Sequence, residues 1–295
     1  MKRKIVIFSI FICMALILLL LLFPEHAHEG VDLGTSLFME ALFPYLLPYL
    51  ILTGWFIRLT TTNNTSHPLS LILKIYVISA LGGFPTGSAT ISQLVKQQAL
   101  TRTQAAYLLG ICHSPSPLFL IGFVGQDLLG QTSFSWNYLL LLHSFSLLLL
   151  LFLHKKLLTN STQSAFEKDP YPFSSSVKES VPTVAVVAAT IIFFTTVYHV
   201  LLHNTALFFT HLPPTGQAFL GGILEMTNGL FLFNELLSAE LFPLIAVILL
   251  TAQSFSIHLQ VVVLAKSADI PLKVYVFIRL LYCLCIPLLY ILFFM

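Results

Sequence analysis

Apolar residues gather into runs of spanning or near-spanning length at about 5–23, 37–57, 104–125, 137–153, 181–202, 241–264 and 272–294. Such runs predict membrane helices. Two further runs, at about 71–95 and 214–234, are broken by small and polar residues. The first carries Gly82-Gly83-Phe84-Pro85-Thr86-Gly87-Ser88, and Ser114-Pro115-Ser116-Pro117 interrupts the run after it. The second carries Gly221-Gly222 and Glu225-Met226-Thr227-Asn228-Gly229, and Ser254-Phe255-Ser256 interrupts the run after that. The spacing repeats, with 28 residues from Thr86 to Ser114 and 27 from Thr227 to Ser254. Backbone released at membrane depth is tolerated only where protein or a water-filled cavity satisfies it, so paired breaks point to a binding site near the midplane.

A chain that is 57% hydrophobic and 9% charged lacks the polar surface a soluble domain needs, which makes this a polytopic membrane protein. The broken runs can be read as full spans or as re-entrant hairpins, and charge placement favours hairpins. With the first entering from the cytoplasm and the second from the opposite side, every Lys and Arg except Arg279 falls inside. Glu25, Glu29, Asp32, Asp127, Glu235 and Glu240 then lie outside without a single cation beside them. Full spans would instead carry Lys96, Arg102 and the cluster Lys155 to Lys178 outside. The expected fold is therefore all-α and polytopic, with about seven full spans and two broken or re-entrant hairpins arranged as an inverted repeat.

Its parts are an N-terminal anchor helix and external loop (1–34), a first transport half (35–158), a cytoplasmic linker (159–178) and a second transport half (179–295). Lys2-Arg3-Lys4 ahead of the run Ile5 to Phe23 resembles a signal peptide. Pro24-Glu25-His26-Ala27-His28-Glu29 offers no small-residue cleavage site, so the run reads as an uncleaved anchor with a cytoplasmic N-terminus. Thr101 and Gln104 have the spacing of a capping box ahead of Ala105 to Ile111.

Candidate chemistry collects at the breaks. Glu225 stands in an apolar segment, where an ionisable group costs several kcal/mol unless it faces a cavity or a partner. It reads as a group that couples a proton or holds a cation or substrate hydroxyl, against the plainer reading of a helix cap. Pro115 and Pro117 free carbonyls around Ser114 and Ser116, and the positive end of the next helix favours an anion there. His113 and His258 lie at the two breaks, with Gln253 and Gln260 flanking the second; interhelical hydrogen bonding is the competing role for each. Thr86, Gly87 and Ser88 form the matching set at the first hairpin, as Thr227 and Asn228 do at the second and Ser254 and Ser256 at its break. No catalytic nucleophile motif, cofactor motif or metal set is called for: His26-Ala27-His28-Glu29 is only a short H-x-H, and Cys13, Cys112, Cys283 and Cys285 form no CxxC pair. No basic patch suited to nucleic acid is present.

Several stretches together resemble the sporulation integral membrane protein YlbJ family, placed with the nucleoside-recognition (Gate) domain proteins. They are Phe43-Pro44-Tyr45-Leu46-Leu47-Pro48, Gly83-Phe84-Pro85-Thr86-Gly87, Ser116-Pro117-Leu118-Phe119-Leu120-Ile121-Gly122, Glu225-Met226-Thr227-Asn228-Gly229 and Ser256-Ile257-His258-Leu259-Gln260. The chain departs from that pattern at Phe84 and Thr86, where Tyr and Met are usual, and at Cys112-His113. The resemblance implies a transporter of a small planar anion, dipicolinic acid, working in a bacterial cell membrane such as the outer forespore membrane. Two other readings stay open, a nucleoside or nucleobase transporter and a non-transporting protein of spore-envelope assembly. Lipid is the partner in every case, a coupling proton or cation in the first, and a homo-oligomer is left open.

Overall fold

With no water at hand, a spanning segment must satisfy its own backbone, and these Leu-, Ile- and Phe-rich runs do so by winding into helices. The computed structural model describes residues 2–61, 68–158, 170–204 and 212–295, and every regular element among them is helical. Helix α1 (Lys2–Leu22) bends by 101° into α2 (Pro24–Ser36). Residues 24–34, expected as an external loop, are thus helical. Pro24 suits a first helical turn, and His26–Glu29 and His28–Asp32 pair one turn apart, at 3.2 and 3.6 Å.

Two halves follow. The first contains α3 (Phe43–Thr61), a hairpin of α4 (Pro68–Gly82) and α5 (Thr86–Lys96), then α6 (Arg102–Ile111), a π-helical stretch Phe119–Leu128, and α7 (Ser133–Leu158). The second contains α8 (Pro172–His203), a hairpin of α9 (Pro214–Leu224) and α10 (Met226–Leu236), then α11 (Phe242–Ala252), α12 (Phe255–Lys266) and α13 (Lys273–Phe294). The order helix, hairpin, interrupted helix, helix occurs twice. Read with the charge placement, a hairpin that returns to its own side in each half would start the second half on the face opposite the first. The repeated element order is the one an inverted repeat requires.

Of the about seven full spans expected, several are interrupted among the described residues. Among the described residues four helical stretches are long and apolar enough to cross a membrane: α7, α8, α11 with α12, and α13. A fifth is added if the bent pair of α1 and α2 counts as one. The run at 104–125 is two short helices because α6 stops at Ile111 and Pro115 and Pro117 cannot continue it. The run at 241–264 divides at Gln253, whose φ of +65° leaves helical space. The expected linker is only partly described: residues 159–169 lie outside the described set, and 172–178 form the first turns of α8.

The Thr101–Gln104 capping box forms as expected, with Thr101 Oγ1 accepting from the Gln104 backbone at 3.2 Å and Gln104 Oε1 accepting from the Thr101 backbone at 3.0 Å. Gln104 Nε2 also donates to the Leu157 carbonyl at 2.7 Å, which ties α6 to the end of α7. α3 packs on α8 through Leu46 and Leu50 against Val187 and Ile191, with Phe38 of the π-helical stretch Leu37–Leu42 joining them, and Arg58 of α3 meets Glu179 of α8 at 2.5 Å. Elsewhere the outward faces are apolar, as with Leu140, Leu151 and Phe152 on α7 and Phe277, Leu280 and Leu284 on α13. Such faces belong in lipid, and the chain is an integral membrane protein.

Candidate functional site

The first hairpin turns at Gly83, whose φ of +69° and whose approach to Ser116 exclude a side chain: a Cβ there would lie 2.4 Å from the Ser116 nitrogen. The Phe84 amide donates to the Ser114 carbonyl at 2.8 Å, so the hairpin tip is seated in the first break. Gly87 makes the same docking close, since its Cβ would meet Ser79 Oγ at 2.8 Å and the Cys112 carbonyl at 2.9 Å. Thr86 Oγ1 returns to the Gly82 carbonyl at 3.2 Å. Ser88 Oγ is buried with no hydrogen-bond partner.

The second hairpin turns at Glu225, an extended residue between α9 and α10. Its carboxylate accepts from the Thr227 and Asn228 amides at 2.8 and 3.1 Å, the helix-cap role weighed in the sequence, yet it also faces the cavity described below. Asn228 Nδ2 donates to Thr195 Oγ1 on α8 at 3.2 Å. Gly222 and Gly229 let the two arms touch, as a Cβ on Gly229 would fall 2.2 Å from the Gly222 Cα.

At the breaks, Ser116 Oγ caps the Phe119 amide at 3.2 Å and Ser254 Oγ caps the Ile257 amide at 3.4 Å. Both imidazole nitrogens of His258 are engaged, Nε2 with the Ala252 carbonyl at 3.0 Å and Nδ1 with Tyr275 Oη at 2.7 Å. The carbonyl must receive the Nε2 proton, so Nδ1 accepts from the tyrosine. His113 differs. Its two ring nitrogens and the Gln253 amide adjoin without closing a hydrogen bond, and Ser256 Oγ is likewise buried and unpartnered.

One residue was missed as a site candidate. Arg279 of α13 donates through Nη1 to the His113 carbonyl at 2.9 Å and through Nη2 to the Thr251 carbonyl at 2.7 Å, bridging the two breaks. It is 4% exposed and stacks over the Tyr282 ring at 4.8 Å. Two half-helices, α6 and α11, end their chains of carbonyls at this cation, which suits their dipoles. The sequence held the signal, because Arg279 is the one cation left inside a span.

A cavity joins these parts. Its walls come from the first hairpin (Gly82, Phe84), the first break (Ser116, Leu118, Phe119), the second hairpin (Glu225, Met226, Thr227), α12 (Ile257, Gln260) and the flanking α3 and α8 (Leu46, Tyr49, Val187, Ile191). About 690 Å³ of empty space lies between the walls, counting the part open to the outside. Of the candidates, Ser116, Glu225, Thr227 and Gln260 face this space. Thr86 faces a second, smaller cleft between α3, α5 and α8. Gln260 Nε2 also donates to Thr190 Oγ1 of α8 at 3.0 Å.

Hairpin tips and interrupted helices around one cavity place the chain among polytopic all-α integral membrane proteins. Over 112 residues, 34% of this chain, it is 27% identical to the sporulation integral membrane protein YlbJ of Bacillus subtilis (strain 168). The match covers 28% of that protein's length. No protein-family profile matches the chain, and no solved structure does.

Proposed function

We propose that the protein is a transporter that carries a small planar carboxylate, dipicolinate or a close analogue, through the cavity between its two halves during bacterial sporulation. The observation that carries this reading is the convergence of both hairpin tips, the first break and the helix that follows the second break on one space. The likeness to YlbJ supports the sporulation setting.

The seat for an anion is the N-terminus of α10, where Glu225 holds the Thr227 and Asn228 amides. A ligand carboxylate would compete for these donors with Glu225 itself. Protonation of Glu225 weakens its grip, frees the amides for the ligand and carries one proton with each anion. Phe84, Tyr49 and Phe119 supply flat apolar walls for a ring. A coupling proton thus follows from the same residue that receives the substrate.

The cavity lining also favours a second reading. Lys and Arg are absent from its described walls, while Ser116, Thr227, Gln260 and the aromatic rings suit the hydroxyls and base of a nucleoside. Uptake of labelled dipicolinate and of labelled uridine into proteoliposomes separates the two. Dipicolinate accumulation driven by an inward proton gradient is the expected result. Uridine accumulation alone moves the assignment to nucleosides. Accumulation of neither, by protein shown to be folded and inserted, supports a non-transporting role in envelope assembly.

A further inference from the structure

Away from the cavity, the end of α8 and the start of α2 bring together three histidines far apart in sequence. Gly30 and Gly34 of α2 pack directly on α8, where a Cβ would lie 2.7 Å from the Thr196 Cα and 2.8 Å from the Ile192 Cα. This close seam runs the two helices past one another and sets His26, one turn before Gly30, beside His199 and His203. The last two stand four residues apart on one face of α8, the spacing by which a helix offers two imidazoles to one ion. Ring nitrogens of all three lie within 4.8 Å of one another.

Their hydrogen bonds point the same way. His203 Nδ1 lies 3.1 Å from the His199 carbonyl, which can only accept, so the proton sits on Nδ1 and the Nε2 lone pair is left available. Glu29 Oε2 lies between His26 Nδ1 at 3.2 Å and His199 Nε2 at 3.0 Å. Two imidazole nitrogens and a carboxylate oxygen thus already converge on one point, where either N–H donors or a metal ion can sit. We propose that His26, His199 and His203, with the Glu29 carboxylate, form a binding site for a divalent transition metal of the zinc class. Three nitrogens and one oxygen make a four-coordinate set. At Zn–N distances of about 2.0–2.1 Å, tetrahedral ligand atoms stand roughly 3.4 Å apart, so modest rotation of these rings closes the site. Each neutral imidazole binds through the nitrogen facing the ion and keeps its proton on the other ring nitrogen, and the metal ties α2 to the end of α8. The sequence reading assigned no metal because it paired His26 with His28. His28 instead points to Asp32, 80% exposed and away from the cluster.

The full-length protein in detergent, stripped with EDTA and desalted, is the sample for the test. Zinc retained after equilibrium dialysis is counted per chain, and cobalt is titrated while the visible absorption of four-coordinate Co²⁺ is followed. One ion per chain is expected for the wild type. His203→Ala, at the exposed end of α8, should lose the four-coordinate cobalt spectrum and weaken zinc binding at least tenfold, while His28→Ala should match the wild type. Wild-type protein that retains no more zinc than His203→Ala overturns the proposal and leaves a Glu29-centred hydrogen-bond cluster. Equal loss in His28→Ala and His203→Ala overturns it too, because binding would then reside on the exposed H-x-H.

Discussion

Arg279 shows how a single side chain can hold two interrupted helices in register. A hydrogen bond to a charged group contributes about 1.5–3 kcal/mol, and a buried carbonyl left without a donor costs about 1–3 kcal/mol. Arg279→Met orphans the carbonyls of His113 and Thr251 together, so a melting temperature several degrees lower is expected in detergent. Arg279→Lys should recover part of the loss, since an ammonium has no planar fork to reach both carbonyls at the wild-type geometry. Equal melting temperatures for all three proteins would remove the bridge from the account. Glu225 has a separable pair of roles. In Glu225→Gln the amide oxygen can still accept from Thr227 and Asn228, so the fold should persist and ligand exchange should remain measurable. Proton-driven accumulation should be lost, because the amide does not titrate. Normal accumulation at every pH would leave Glu225 as a helix cap alone.

At the scale of elements, the hairpins depend on glycine where two backbones meet. Gly87→Leu and Gly229→Leu should abolish uptake while the chain still inserts, because each introduces a side chain where even a Cβ has no room. Gly122→Ala is the control, for its Cβ would meet nothing within 4 Å. Retained uptake in both leucine variants at normal expression would count against a site at the hairpin tips. These hairpins and breaks were legible in the sequence because Gly, Pro and Ser leave a plain mark on an apolar run. The helical state of α2 was not, as residues 24–34 are polar and their reason to be helical is the surface of α8, which local pattern does not show. The same limit hid the join between His26 and the pair on α8. His113, Gln253 and Ser256 were singled out as polar residues at breaks. That His113 lies at the Arg279 bridge, and that none of the three is on the cavity wall with Ser116 and Gln260, follows only from packing.

Across the whole molecule, the account rests on two halves of opposed topology sharing one cavity. On a Cys-free background, Gln97→Cys follows the first hairpin and Ser238→Cys follows the second, and both positions are exposed. A membrane-impermeant thiol reagent should reach Gln97→Cys from the cytoplasmic face only and Ser238→Cys from the other face only, as the charge distribution requires. Labelling of both from one face would end the inverted repeat. The central claim, that the shared cavity is the ligand's path, is tested most directly by protection of a cavity residue. Gln260→Cys, if it still carries substrate in proteoliposomes, should react with a small thiol reagent, and saturating dipicolinate should slow that reaction severalfold while leaving Ser238→Cys unchanged. A reaction rate at Gln260→Cys unaffected by dipicolinate in a variant that still accumulates it would contradict the account, since the anion would then be crossing by another route.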